Sequence, residues 1–361
     1  MTETRDDVDR QAALEPLAPQ CPAPLPPGET ILLGHGSGGR LTHELIRDVL
    51  VPALGANPEL SRLGDAAVIP LPGGESLAFT IDGFVVQPPF FPDTDIGELA
   101  VNGTVNDLAM MGAEPLALSA ALILEEGLPI ERLRAAVASM ASACERAGVA
   151  LVTGDTKVVE RGAADGLYIT TSGIGLIPNG VEVGPDRCRP GDRILVTGPV
   201  ASHGIAVMSR RAGVSFEGDI RSDTASLTGV VRAMLAAGDV HCLRDATRGG
   251  LASVLNELAE ASDVSMTVTE ADIPVLPAVR AACEMLGLDP LYVANEGVAV
   301  VIVAAEDADA VLAAARSEAV GAQAALIGGV GEPPMSVRLR SGLGTTRPLM
   351  MLSGDQLPRI C

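Results

Sequence analysis

Tryptophan is absent from this 361-residue chain, and aromatic residues of all kinds make up only 2% of it. A core of ordinary size must therefore be built from aliphatic side chains, which the 47% hydrophobic content supplies. Lysine is nearly absent as well: Lys157 stands alone, and every other basic residue among the 25 Lys and Arg is arginine. With 46 acidic residues the formal net charge is -21, so the clustered cations that release counterions from a phosphate backbone are lacking, which excludes nucleic acid as a partner. No apolar run is long enough to span a bilayer and no secretory signal is evident, so a cytoplasmic protein without a membrane partner is expected. Cys21, Cys144, Cys188, Cys242, Cys283 and Cys361 include no CxxC or CxxxC pair, which removes zinc ribbons and thioredoxin-like motifs. There is no Gly-Lys-Ser/Thr triplet, and hence no Walker A loop.

What is present alternates between strand and helix. Residues 1–30 carry Pro16, Pro19, Pro22, Pro24, Pro26 and Pro27 and read as a disordered leader. Short β-like runs at Ala66–Pro70, Leu77–Ile81, Val85–Val86, Leu116–Leu124, Val149–Thr153 and Tyr168–Leu176 are interleaved with helical spacing at Ile96–Met111 and Pro129–Ala147. Proline and glycine punctuate residues 178 to 193, and a second α/β unit follows. The expected organisation is a sheet-and-helix domain over 31–178, a second α/β domain over 190–345, and a flexible tail over 346–361 hinged near Ser353 and Gly354.

The chemistry gathers in the connecting turns. A glycine-rich loop, Gly34-His35-Gly36-Ser37-Gly38-Gly39-Arg40, precedes a helical stretch and suits close approach of backbone N–H groups to a phosphate. Asp65, Asp82, Asp107, Asp155, Asp245 and Glu296 each sit in a short turn-like cluster. Any one of them reads most simply as a capping residue, but six together supply the oxygen ligands that magnesium and a polyphosphate require. A lone lysine in a chain that uses arginine everywhere else points to a role that arginine cannot fill, because an ammonium is a compact charge whose pKa responds to burial. The chain ends Pro358-Arg359-Ile360-Cys361, a thiol at the tip of a proline-stiffened tether.

At these residues a resemblance becomes specific. GHGSGGR at 34–40, NDLAMMGA at 106–113, ILEEGLP at 123–129, VTGDTKVVERGAADGLYI at 152–169, RDATRGGL at 244–251, ANEG at 294–297 and the terminal PRIC resemble the carbamoyl dehydratase (HypE) family of hydrogenase maturation factors. The resemblance runs from about residue 31 to the end. It implies a two-domain, PurM-like ATP-binding α/β (α+β) fold, shared with aminoimidazole ribonucleotide synthetase and selenophosphate synthetase, and dimerisation through strands of the N-terminal domain.

The implied activity is ATP-dependent dehydration of an S-carbamoyl group on the terminal Cys361 to a thiocyanate. That group would be placed by the carbamoyltransferase HypF, and the product would supply cyanide to iron on a HypC-HypD scaffold for nickel-iron hydrogenase. By motif position, Asp65, Asp82, Asp107, Asp155 and Asp245 would hold Mg2+, while Gly36, Ser37, Gly38, Gly39, Asp82, Asn106, Asp155 and Thr156 would hold ATP. Lys157 and Arg248 would stabilise developing charge and Glu296 would take the N–H proton, with His35 a weaker candidate. Two other readings stay open on the residues alone: an ATP enzyme of this fold acting on a free small molecule, and a carrier whose terminal thiol shuttles sulfur or metal.

Overall fold

The computed structural model describes residues 30–55, 57–214, 220–352, 357 and 359–361. The expected leader lies outside them except for Thr30, and so do the expected hinge residues Ser353 and Gly354.

After a short helix α1 (Arg40–Leu45) come strands β1 (Ala67–Pro70) and β2 (Ser76–Phe84), a small hairpin of β3 (Phe90–Phe91) and β4 (Thr94–Asp95), helix α2 (Ile96–Met110), strand β5 (Glu114–Glu125), helix α3 (Ile130–Ala147), and strands β6 (Ala150–Val159) and β7 (Leu167–Ile177). The strands form one sheet in the order β1-β2-β7-β5-β6, antiparallel throughout except that β5 and β6 run parallel. In β7 every second residue is buried, from Leu167 and Ile169 to Ile177, which is the two-residue period of a strand with one covered face. Helices α2 and α3 cover that face. Asp95 starts α2 by accepting the amides of Gly97 and Glu98 at 2.7 and 3.3 Å, and Gly148 closes α3 with φ of 68°. The other face is open and apolar: Phe79, Ile81 and Ile123 are exposed.

The second half contains β8 (Arg193–Val196), α4 (Ser202–Ala212), α5 (Thr228–Ala237), β9 (Val240–Asp245), α6 (Gly250–Ser262), β10 (Ser265–Thr269), α7 (Pro277–Leu286), β11 (Ala299–Val303), α8 (Ala308–Ser317), β12 (Ala325–Gly331), β13 (Ser336–Arg340) and β14 (Thr346–Pro348). Its seven-stranded sheet has the order β14-β13-β10-β12-β8-β11-β9. Helix α6 packs on one face, where Ile194, Val300 and Ile302 meet Leu251, Leu255 and Leu258. The other face carries α5 and α8, with Leu195, Val301 and Val303 against Val230, Met234 and Val311. Strands covered on both sides read as unbroken apolar runs, and β11 (AVVIV) is buried along its whole length.

The halves share their cores. Ala109 and Met110 of α2 pack with the α5 and α8 layer, while Ile205, Val207 and Val279 of the second half join the α2 and α3 core. This explains why α2 is apolar almost all round: it lies between two sheets rather than at a surface. Val85 and Val86, expected to form a third strand, lie outside the strands; the Val85 amide instead donates to a Cys361 main-chain carboxylate oxygen at 3.1 Å. The sequence pattern also missed helix α5 and strand β9. Beyond residue 345, β14 pairs with β13 and the Leu349 amide donates to the Val337 carbonyl oxygen at 2.9 Å, so the expected tail begins as part of the second sheet.

Candidate active site

A cavity of about 550 Å³ opens between the halves. Asp65, Asp82 and Asp107 reach it from the first half, Arg244, Asp245, Arg248 and Glu296 from the second, and Cys361 lines it as well. Asp65 precedes β1, Asp82 sits near the end of β2, Asp107 is on the last turn of α2 and Asp245 ends β9. Element ends thus converge on one crevice from two sheets.

One carboxylate oxygen from each of Asp65, Asp107 and Asp245 lies within 4.8 Å of the others. Thr80 Oγ1 donates to Asp107 Oδ2 at 2.8 Å and lies 2.9 Å from the Asp65 carbonyl oxygen. Burial, then repulsion from Asp82, Asp245 and Asp65, holds Asp107 well above the ordinary carboxylate range. Asp245 is raised in the same way by burial and then by Asp65 and Asp82. Asp65 is pushed up to about 6 by burial, opposed by the Arg244 guanidinium. Arg244 ties that side of the cavity together, with Nε 3.2 Å from Asp65 and Nη2 3.0 Å from Glu257. Three close, desolvated carboxylates that raise one another's pKa values fit a hard divalent cation, which takes oxygen ligands and removes the repulsion.

Arg248 and Cys361 line the same cavity and interact there. The interaction with Cys361 is the largest cause raising the Arg248 pKa, followed, against burial, by Asp82 and Glu296. Burial pushes the Cys361 thiol up to about 12, opposed by Arg248 and reinforced by Glu296 and Asp82. Glu296 is 3% exposed, and its Oε1 is buried without a hydrogen-bond partner. Burial first, and then Asp245, Asp223 and Asp82, raise its pKa well above the ordinary value, which raises its affinity for a proton.

The glycine-rich loop reaches this site through its second part. Gly38 and Gly39 line the cavity, and Gly38, with φ of 75°, lies so close to Arg248 that a Cβ there would come within 2.5 Å of the Arg248 Cβ. Gly36 meets the site only through its carbonyl, which accepts from Arg248 Nη1 at 3.1 Å. Ser37 donates to the Gly34 carbonyl oxygen at 2.8 Å and His35 accepts the Leu32 amide at 2.9 Å, so both serve their own turn.

Four expected site residues lie away from this chain's own cavity. Asn106 is not a cavity ligand: Nδ2 donates to the carbonyl oxygens of Ala225 at 2.9 Å and Glu296 at 3.2 Å, and Oδ1 accepts the Leu227 amide at 2.7 Å. It is a strut between the halves, because on a helix adjacent residues point about 100° apart and only Asp107 can face the crevice. Asp155, Thr156 and Lys157 also stay out of this chain's own cavity. They lie on the edge strand β6, where Lys157 Nζ pairs with Asp155 Oδ2 at 2.7 Å and the two side chains are 70% and 61% exposed.

The expected flexible tail is docked where it is described. Besides the Cys361 contact with Val85, the Gln87 amide donates to the Arg359 carbonyl oxygen at 3.2 Å, and Ile360 is buried at 3%. Arg359 forms an ion pair with Asp165 and lies over the Tyr168 ring at 5.8 Å from its centroid. The terminal thiol is thereby placed inside the cavity.

Against known proteins, the family model for AIR synthase related protein, N-terminal domain, matches residues 63–177, and its C-terminal domain model matches residues 189–339. Carbamoyl dehydratase HypE of Cupriavidus necator is 51% identical over 331 residues, covering 91% of this chain and 94% of that protein. The chain belongs to the carbamoyl dehydratase (HypE) family. A crystal structure of HypE in complex with ATP superposes with a TM-score of 0.77 at 48% identity, covering 92% of this chain and all 100% of that one. A HypE-HypF complex gives 0.81 at 43% identity, covering 85% of this chain and 99% of that one. The chain is a carbamoyl dehydratase of hydrogenase maturation with the two-domain PurM-like fold of HypE proteins. Among the described residues no helix is long and apolar enough to cross a membrane.

Reading the sequence missed Arg244 and Glu257. Arg244 lies inside the quoted RDATRGGL motif, so its neighbours could have drawn attention to it. Glu257 looks like any acidic residue on an amphipathic helix, and nothing in the sequence marks it.

Proposed function

We propose that this chain dehydrates an S-carbamoyl group carried on its own Cys361, at the expense of ATP, to give a thiocyanate. The observation that carries this reading is that the terminal thiol lines the same cavity as the three clustered aspartates, Arg248 and the unpartnered Glu296. A carboxamide oxygen is a poor leaving group until it is phosphorylated. Arg248 neutralises charge on the phosphoryl group as it transfers to that oxygen, a step in which the first N–H proton is lost to solvent, and Glu296 takes the second N–H proton as the C–O bond to phosphate breaks and the C–N triple bond forms. The carboxamide and ATP thus become thiocyanate, ADP, phosphate and a proton.

Asp65, Asp107 and Asp245 would hold Mg2+, with Asp82 beside them. The ion would neutralise phosphate charge. The Gly38–Gly39 turn and Arg248 would close over the nucleotide.

Lys157 enters this reading through a second copy. The open face of the first sheet bears Phe79, Ile81 and Ile123, exposed by 45%, 65% and 36%, an apolar surface that a homodimer would cover. Lys157 is on that face, so pairing of the sheets would deliver it, with Asp155 and Thr156, to the other copy's cavity. The carbamoyl donor would be HypF, the named partner in the HypE-HypF complex, and a HypC-HypD scaffold would receive the cyanide.

The deciding experiment is intact-protein mass spectrometry with the carbamoyltransferase, carbamoyl phosphate and ATP. The chain should gain the elements of cyanic acid and then lose one water, both on the C-terminal peptide, and Cys361→Ala should do neither. An adduct on another cysteine, or dehydration of a free small molecule by Cys361→Ala, would overturn the reading.

A further inference from the structure

The last peptide groups of the chain are gripped by side chains that take no part in the chemistry above. His203, at the start of α4 and fully buried, places Nε2 2.8 Å from the Ile360 carbonyl oxygen and Nδ1 2.8 Å from Ser222 Oγ. A carbonyl oxygen can only accept, so Nε2 carries the proton. Burial pushes the imidazole pKa down to about 4, which keeps the ring neutral, and Nδ1 therefore accepts from the Ser222 hydroxyl. Ser222 Oγ in turn accepts the Thr224 amide at 3.1 Å. The Phe91 ring stands edge-on to the imidazole at 5.5 Å and 87°, packing it in this orientation. One α4 face thus reaches two successive tail carbonyls, because Arg211 Nη2 donates to Arg359 at 2.8 Å.

The residue after Ser222 serves the other reacting group. Asp223 Oδ1 accepts the Glu296 amide at 2.7 Å. Burial pushes the Asp223 carboxyl up to about 7, opposed by hydrogen bonds from the amides of Glu296, His203 and Gly297. Two adjacent residues therefore hold the two reaction partners, Ser222 through the ring that grips the tail and Asp223 through the backbone that bears the base.

Geometry makes this grip consequential. With the Ile360 carbonyl held by His203 and a Cys361 main-chain carboxylate oxygen held by the Val85 amide, the Cys361 backbone is fixed on both sides. The position of Sγ is then set chiefly by the Cys361 χ1 rotamer. Such pre-orientation lets one carboxylate meet one N–H group without a search, and a displacement of about 1 Å costs on the order of a hundredfold in rate.

We propose that His203 is a positioning residue for the dehydration, gripping the Ile360 carbonyl so that the group on Cys361 is presented to Glu296, with Ser222 and Asp223 fixing the spacing between tail and base. This rests on Cys361 as the bearer of the substrate group.

The test compares His203→Leu, His203→Gln and Ser222→Ala with the native chain in three measurements. These are iodoacetamide alkylation of Cys361 mapped by peptide mass in the presence of Mg-ATP, single-turnover water loss from the carbamoylated chain, and ATP affinity by calorimetry. His203→Leu should speed alkylation about tenfold and slow water loss by about tenfold to a hundredfold, with ATP affinity retained. His203→Gln should recover most of both, because its amide N–H can reach the same carbonyl. Ser222→Ala, which leaves the ring in place but frees Nδ1, should shift both in the direction of His203→Leu by less, and it decides the matter if His203→Leu does not fold. Unchanged alkylation in His203→Leu and Ser222→Ala, glutamine no better than leucine, or ATP affinity falling in step with turnover would overturn the proposal. If the native chain lost no water, the assignment of Cys361 would fail instead, while alkylation would still report on the grip.

Discussion

Asp82 and Lys157 belong to the same five-stranded sheet and face opposite sides of it. Asp82 on β2 pairs with Thr171, on the covered face that leads to the cavity, whereas Lys157 on β6 pairs with Ile123 on the open face shared with Phe79 and Ile81. Side chains alternate strictly along a strand, so no rotamer carries Lys157 through the sheet to its own chain's carboxylates. A role for Lys157 in the reaction therefore calls for a second copy.

Complementation checks this. Lys157→Ala and Glu296→Gln should each abolish dehydration alone, yet an equal mixture allowed to exchange subunits should regain about a quarter of native activity. Half of the random dimers are then mixed, and each contains one site with both residues intact. No recovery on mixing, under conditions where exchange is verified by mass, would place both residues in one chain's site.

Replacing one clustered carboxylate should have two effects of opposite sign. Asp107→Asn removes a charge whose pKa is raised by burial and by its neighbours, so the protein without Mg2+ should gain on the order of 1 kcal/mol and melt about 2–4 °C higher. The same change should weaken Mg-ATP binding by about tenfold or more, since a charged ligand is lost. Calorimetric titration and thermal melting read the two separately, and a fall in both would mean that Asp107 is structural.

Asn106→Ala should behave differently from its neighbour. Three hydrogen bonds that tie α2 to the second half are lost, a cost of about 2–3 kcal/mol, so the melting temperature should drop by several degrees with ATP affinity near native. A selective loss of ATP affinity at unchanged stability would return Asn106 to the nucleotide site.

The pH dependence of Cys361 follows from its burial. A thiol pushed up to about 12 from 9.0 is neutral where an ordinary thiol is half ionised, and docking is favoured by the neutral form. Docking therefore holds below about pH 9 and weakens as the pH rises from 9 toward 12. Alkylation of Cys361 in the Mg-ATP-bound protein should show a midpoint above pH 9; a midpoint at or below 9 would mean an exposed tail.

Much of the architecture could be read locally. Helical spacing over Pro129–Ala147 is realised as α3, and the aspartates at 65, 107 and 245 do meet. Local signals failed where a residue's partner lies far along the chain. Asn106 and Asp107 are adjacent in an NDL cluster and equally polar, yet one is a strut and the other a cavity carboxylate.

The sequence by itself determined which chemical groups were available: an acidic chain without aromatic bulk, oxygen ligands in turns, one ammonium and one terminal thiol. Periodicity, a local property, also determined most of the elements that carry them. Only the tertiary structure decided which groups meet, because side-chain direction across a sheet and around a helix becomes proximity only once distant elements are packed together. It brought Asp245 to Asp65, turned Lys157 away, and set His203 against the Ile360 carbonyl across 157 residues of chain.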